Sequence, residues 1–267
     1  MARSQGHGGL NMPTTQFHWR WLGLVCGLSV AACLLASWFT LPLRPAWDVF
    51  DRQVFFLLNA TLESGDSWRW FWAAANTRIV DAVSALLFGV IFAVYICRPG
   101  WRGLAERVAE GCFLAGYTIF VLDISSNWIF TFERLSPSLT LEPVFHLADV
   151  ITSVKVKDVS SNSFPGDHGT AVMMFATLIW FYAGTRYGLW ASLLAGLLVW
   201  PRLVSGAHWI TDLFVGSASI AIIALSIALA TPLARVAPLL LVRLVWVLAT
   251  PLIERGWVSA AVFEQRR

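Results

Sequence analysis

The sequence predicts an all-α, polytopic membrane helix bundle with six transmembrane helices. Three observations carry that expectation. The 267 residues are 57% hydrophobic and only 13% charged, and the mean hydropathy is +0.66. Soluble domains hold about 25% charged residues, so a globule of this size would lack the polar surface that water requires. The apolar residues also gather into runs near the length that crosses a hydrocarbon core, about 17–25 residues. Finally, the basic residues divide unevenly between the two sides that alternating spans define. The same composition excludes an ordinary soluble enzyme, a disordered chain and a fibrous repeat. The net charge of +3 is too small and too scattered for a nucleic-acid partner.

Residues 1–17, rich in Gly, Ser, Thr, Pro and Asn, read as a disordered cytoplasmic N-terminus. The first apolar run, 21–43, carries no charge and exceeds the 7–15 residues of a signal-peptide core, so it reads as a retained anchor. The connection 44–78 holds Asp48, Trp68, Trp70 and Trp72. Tryptophan favours the headgroup level, so 67–75 reads as an interfacial helix. The second run is 82–97, extended past Asp81 by Ile79 and Val80. The third, 111–132, contains Asp123. The fourth is 169–185, the fifth 187–201 and the sixth 213–233. Length makes the fifth the weakest of these. Residues 18–233 are thus the expected six-helix catalytic domain, and 234–267 the expected amphipathic tail on the cytoplasmic face, with a seventh span as the alternative. The four cysteines lie in or beside apolar runs with no CxxC spacing, which indicates neither a disulfide framework nor a zinc site.

Eleven of the 19 basic residues but only four of the 16 acidic ones fall on the side of the two termini. Basic residues accumulate on the cytoplasmic side. Both termini are therefore expected in the cytoplasm, and connections 44–78 and 133–168 outside, in the periplasm of a bacterium.

Ionisable groups at membrane depth are costly and usually functional. Here they cluster in connection 133–168 and at the junction of the fifth and sixth runs, both on the outer side. The junction reads Pro201-Arg202-Leu-Val-Ser-Gly-Ala-His208-Trp-Ile-Thr-Asp212. On a helix, His208 and Asp212 share a face. A carboxylate beside one imidazole nitrogen fixes the tautomer and leaves the other nitrogen free as a nucleophile. Arg202, expected near the helix start, suits bidentate phosphate binding. The plainer reading is a His–Asp pair that caps a helix.

The connection ends Lys157-Asp158-Val-Ser-Ser-Asn-Ser163-Phe-Pro165-Gly166-Asp167-His168. Gly166 and Asp167 open the fourth helix, whose first N–H groups face anions. A histidine there can protonate a leaving group; the plainer reading is an Asp167 cap beside a bystander His168. Arg134, taken alone, is an ordinary interfacial arginine. Two histidines, two arginines and a helix N-terminus on one membrane face point to phosphate chemistry. Asp167, His168, His208 and Asp212 as zinc or manganese ligands are the competing reading. The nearby arginines oppose a divalent cation, so neither metal nor cofactor is expected.

The pattern Arg202-x5-His208-x3-Asp212, with Pro165-Gly166-Asp167-His168 and Arg134 before it, resembles the type-2 phosphatidic acid phosphatase family. The resemblance implies a six-helix membrane enzyme that hydrolyses or transfers phosphate on lipids without metal. Three positions depart from the general pattern: Asn127 for a Lys, Pro165-Gly166-Asp167-His168 for Pro-Ser-Gly-His, and Pro201 for a Ser. The departures are similar to one branch, with Lys157-Asp158, Ser163-Phe164-Pro165-Gly166-Asp167-His168-Gly169, Pro201-Arg202, Gly206-Ala207-His208-Trp209, Arg134-x-Ser136-Pro137 and Thr231-Pro232-Leu233. That likeness implies transfer of a phosphate from undecaprenyl diphosphate to the 1-phosphate of lipid A, at the periplasmic face of a bacterial inner membrane.

The resemblance further implies His208 as the nucleophile, Asp212 as its orienter and His168 as acid, then base. Arg134 and Arg202 would hold phosphate oxygens, and Gly166 and Asp167 would border them. Lys157 is the candidate for the positive charge missing at Asn127. Two alternatives stand beside transfer: a phosphatase of the same fold acting on undecaprenyl diphosphate, and a non-enzymatic lipid-binding or transport protein. The connection 133–168, with apolar Leu139, Leu141, Val144, Phe145 and Leu147, is equally an interfacial lid or a plain packed loop.

Overall fold

A computed structural model describes residues 18–98, 103–257, 259 and 262; the N-terminal segment expected to be disordered lies outside them. Backbone polar groups find no water in hydrocarbon, so apolar runs must satisfy them internally as helices. In chain order these are α1 (Trp21–Phe39), α2 (Arg44–Asn59), α3 (Asp66–Ala75), α4 (Arg78–Ile96) and α5 (Leu104–Ile124). They continue with the short α6 (Pro137–Thr140) and α7 (Leu147–Val150), then α8 (Asp167–Ala183), α9 (Thr185–Val204), α10 (Ala218–Ala230) and α11 (Leu233–Glu254). Two π-helical segments, Ser125–Ile129 and Asp212–Ser217, extend α5 and precede α10. Among the described residues the only β-pairing is an isolated bridge between Thr77 and Val156.

The fold class is as expected, an all-helical multi-pass membrane protein. Among the described residues six helices are long and apolar enough to cross a membrane: α1, α4, α5 with its π extension, α9, the π segment with α10, and α11, which falls in the expected tail and stands there in place of α8, the expected fourth span. Two of the expected spans differ in detail. The fifth is not weak, because α9 runs for 20 residues by taking in Arg186 and Arg202 at its ends. The short one is α8, with 17 residues, near the lower limit for a span. It is well enclosed by the others, with Val172, Met174, Leu178 and Ile179 buried.

The ends of α1, α4, α5, α8, α9 and α10 alternate. At the upper end Trp38 of α1 stacks on Phe164, just before α8, with ring centroids 4.6 Å apart. Asp81 of α4 meets Arg202 of α9 there, and Ser126, following α5, meets Asp167 of α8. At the lower end the Arg20 amide donates to Ala230 O at 2.8 Å, and the Arg98 guanidinium lies 4.8 Å from the Tyr187 ring centroid. Large apolar side chains such as Leu86, Ile119 and Leu197 point outward and exposed, a surface suited to lipid and not to water. Helices α1 and α10 approach closely through small residues; a Cβ at Gly27 would lie 1.9 Å from Ser226 Oγ. Helix α11 packs through Val242 on Ala109, at the start of α5, and Ala234 O accepts from the Tyr182 hydroxyl at 2.6 Å. These contacts all lie at the lower end.

The upper end is roofed by the two long connections. The interfacial helix expected over 67–75 is α3. Helix α2 is amphipathic, and Asp51, Phe55 and Asn59, four residues apart, form its buried face. Asn59 Nδ2 donates to Phe145 O at 3.2 Å and to Val204 O at 3.3 Å, while its Oδ1 accepts from the Phe145 amide at 2.8 Å. Ser138 Oγ donates to Asp158 O at 2.6 Å, and Asn76 Nδ2 to Lys157 O at 2.6 Å. Leu147 is buried against Leu62 and Val204. Connection 133–168 is therefore a cross-bonded roof packed on the helix ends, the plainer of its two sequence readings.

Candidate active site

The site is assembled where α4, α8, α9 and the segment before α10 meet. Arg202 lies in the last turn of α9, not near a helix start as the sequence suggested. Its carbonyl accepts from the amides of Ala207 at 3.0 Å and His208 at 3.2 Å, which closes a tight turn. Gly206 makes that turn feasible. Its φ is +80°, a region L-residues rarely adopt, and a Cβ would lie 2.8 Å from Phe55 Cε2 and 3.1 Å from Ser138 Cβ.

His208 consequently sits in the turn and not on a helix face shared with Asp212. The pair still meets, because Asp212 folds back at the start of the next helix. Its Oδ2 accepts from the Trp209 amide at 2.8 Å and lies 3.4 Å from His208 Nδ1. A nearer partner holds the ring: His208 Nδ1 is 2.8 Å from Ser163 O. A carbonyl only accepts, so Nδ1 carries the proton and Nε2 keeps its lone pair.

Arg134 does not line the pocket that His168, Arg202 and His208 share. Its Nη2 is 2.8 Å from Asp51 Oδ2. Its Nη1 donates to Thr211 Oγ1 at 3.0 Å and to Asp212 Oδ1 in a short contact. The Thr211 amide and hydroxyl donate to Asp51 at 3.0 and 2.7 Å. Arg134 thus braces Asp212 from behind, and the phosphate-holding role implied for it meets a guanidinium already engaged by two carboxylates. Burial raises the pKa of Asp51, against the lowering pull of Arg134 and the Thr211 hydrogen bonds.

The pocket itself is small and is lined by Gly166, His168, Gly169, Arg202, His208, Asp212 and Ser217, among others. Gly166 and Gly169 let α8 press against the π segment; a Cβ at Gly169 would lie 2.6 Å from Ser217 Oγ, and one at Gly166 2.9 Å. The first amides of α8 have no intrahelical partner and open beside His168. Arg202 is 5% exposed. Its Nη2 donates to both oxygens of Asp81, at 2.7 and 2.5 Å, whereas its buried Nη1 has no partner. His168 Nδ1 is 3.8 Å from Asp81 Oδ1.

Two other expected residues stand outside this lining. Asp167 is exposed and accepts a short hydrogen bond from Ser126, which ties α8 to α5. Lys157 is exposed and in electrostatic range of Arg202, Asp81, Arg78 and Asp167. Desolvation and then Arg202 lower its pKa. Among the described residues no group of three or more His, Cys, Asp or Glu side chains is arranged to hold an ion.

Sequence reasoning missed Asp51, Asp81 and the Ser163 carbonyl as parts of the site. Asp81 had one signal, an acid that interrupts an apolar run. Asp51 had only its place on the buried face of α2. A backbone carbonyl has no side-chain signature at all.

An imidazole with a free Nε2, a second histidine and a half-satisfied guanidinium around a small pocket at one end of the bundle suit phosphate chemistry, and the family to which the chain is matched makes it a lipid phosphatase or phosphotransferase. Residues 110–237 match the PAP2 superfamily, and the chain belongs to that family. The matched span includes Arg134, His168, Arg202, His208 and Asp212 and excludes Asp51 and Asp81. The chain is also similar to lipid A 1-diphosphate synthase of Escherichia coli (strain K12), at 31% identity over 204 residues, 76% of this chain and 85% of that relative. No solved structure matches it.

Proposed function

We propose that this enzyme transfers a phosphate from undecaprenyl diphosphate to the 1-phosphate of lipid A through a phosphohistidine at His208. The observation that carries the reading is the Nδ1–Ser163 hydrogen bond, which leaves His208 Nε2 basic in a pocket shared with His168 and the unpartnered Nη1 of Arg202. Nε2 attacks the terminal phosphorus, an N–P bond forms, and the bond to the bridging oxygen breaks. His168 gives its proton to the departing undecaprenyl phosphate. An oxygen of the lipid A 1-phosphate monoanion then attacks the phosphohistidine as His168 takes its hydroxyl proton, and the N–P bond breaks, which returns His208 Nε2 and a protonated His168. Arg202, the first amides of α8 and Lys157 hold the transferred phosphate, whose charge rises in the transition state. Asp212 fixes the turn that presents His208, and Arg134 fixes Asp212.

Lipid A and the undecaprenyl donor are proposed because the relative is named for the lipid A product and because the departures from the general pattern follow that branch. The site belongs to the periplasmic side of a bacterial inner membrane, with both termini cytoplasmic. The bias of basic residues and the gathering of all site residues at one end of the bundle support this. Residues 18–233 form the catalytic domain. Residues 234–267 form a tail on the cytoplasmic face: α11 is long and apolar enough to cross, but its contacts with Ala109 and Tyr182 at the lower end support a surface position.

Purified protein with labelled undecaprenyl diphosphate, with and without lipid A, tests the reading. Label is expected on lipid A only when both lipids are present. Free phosphate released from the donor alone would instead establish the phosphatase alternative.

A further inference from the structure

We propose that Asp81 is the positioning residue that sets Arg202 and His168 around the transferred phosphate. This rests on the phosphoryl-transfer reading of the pocket. Asp81 lies in the first turn of α4, more than a hundred residues before Arg202, and outside the span that matches the family. It takes Nη2 of Arg202 with both oxygens. A buried guanidinium with no counter-charge is strongly unfavourable, so this bond holds Arg202 in place while the pocket is empty. Because it occupies one terminal nitrogen only, it leaves Nη1 for a phosphate oxygen.

The same carboxylate stands 3.8 Å from His168 Nδ1. The other groups facing His168 are Arg202 and the Leu198 carbonyl from α9, and His208 from the turn. Lys157 lies in electrostatic range of Arg202 and Asp81. Asp167, next in sequence, is bonded to Ser126. Among these described groups Asp81 is the anion that faces the ring, and it opposes burial, the largest influence lowering the pKa of His168, and the charge of Arg202. It therefore favours the protonated imidazole that the first step consumes and holds the ring with Nδ1 toward α4.

Asp81→Asn in the full-length protein tests this in two ways. The alkaline limb of kcat/KM for donor consumption should move to lower pH, with kcat lowered. Asp81→Glu, which keeps the charge, should keep the limb in place. In the second measurement, diethyl pyrocarbonate modification of His168 is followed by peptide mass against pH, with no substrate present. Its midpoint should also fall in Asp81→Asn. Superposed profiles for wild type and Asp81→Asn, or a limb that moves equally in Asp81→Glu, would overturn the proposal. The modification curve needs no substrate. A His168 midpoint that responds to Asp81 while no donor is consumed refutes the substrate reading alone, and donor consumption with an unmoved midpoint refutes the role of Asp81 alone.

Discussion

His208 Nδ1 lies closer to the carbonyl of Ser163, at 2.8 Å, than to the carboxylate of Asp212, at 3.4 Å. The backbone thus fixes the tautomer of the proposed nucleophile, and Asp212 adds charge and anchors the turn. His208→Ala should abolish both phosphoenzyme and turnover, whereas Asp212→Asn should leave the tautomer intact and retain measurable phosphoenzyme. His168→Ala should lower kcat by about 10²–10⁴-fold, the range for a general acid–base group. Rapid-quench trapping of labelled protein separates these variants, and turnover surviving His208→Ala would refute the phosphohistidine.

Asp51 is 1% exposed and holds Arg134 and both donors of Thr211. Asp51→Ala leaves a half-paired guanidinium and an unsatisfied amide, and should destabilise the protein by about 3–5 kcal/mol, as loss of one partner of a buried pair does. Thermal unfolding in detergent measures it. Because Arg134 also braces Asp212, activity should fall below the fraction that remains folded.

Lys157 should lose its proton below pH 10.5, since desolvation and Arg202 both disfavour its charged form. Its cation is present at low pH and lost as pH rises. If it holds donor phosphate, the alkaline limb of kcat/KM should steepen in that region. Lys157→Arg, protonated throughout, should restore a single slope, and an unchanged profile would remove Lys157 from phosphate binding.

Gly206→Ala puts a methyl at φ +80° and against Phe55 and Ser138. Strain of this kind costs on the order of 1–3 kcal/mol. The turn that presents His208 should shift, so kcat should fall more than KM rises. Steady-state kinetics at matched folded fraction reads this out.

The helices and most of the pocket were legible in the sequence, because both depend on short-range pattern. An uncharged run of about twenty residues must become a helix in hydrocarbon. Arg202, His208, Asp212 and His168 lie in two short segments whose spacing already suits phosphate. The tertiary structure decided the partners. Arg134 was read as a phosphate ligand, yet it turns away to Asp51, 83 residues distant. Asp81 looked like an interruption in a span, yet it crosses to α9, 121 residues on. His208 was assigned to a helix face, yet Gly206 ends the helix before it and the Ser163 carbonyl holds its ring. An ion pair between remote helices, or a hydrogen bond to a backbone carbonyl, leaves no periodic or local trace in sequence. Its energy depends on which helix ends the packed bundle brings within about 3–4 Å, and packing alone fixes that.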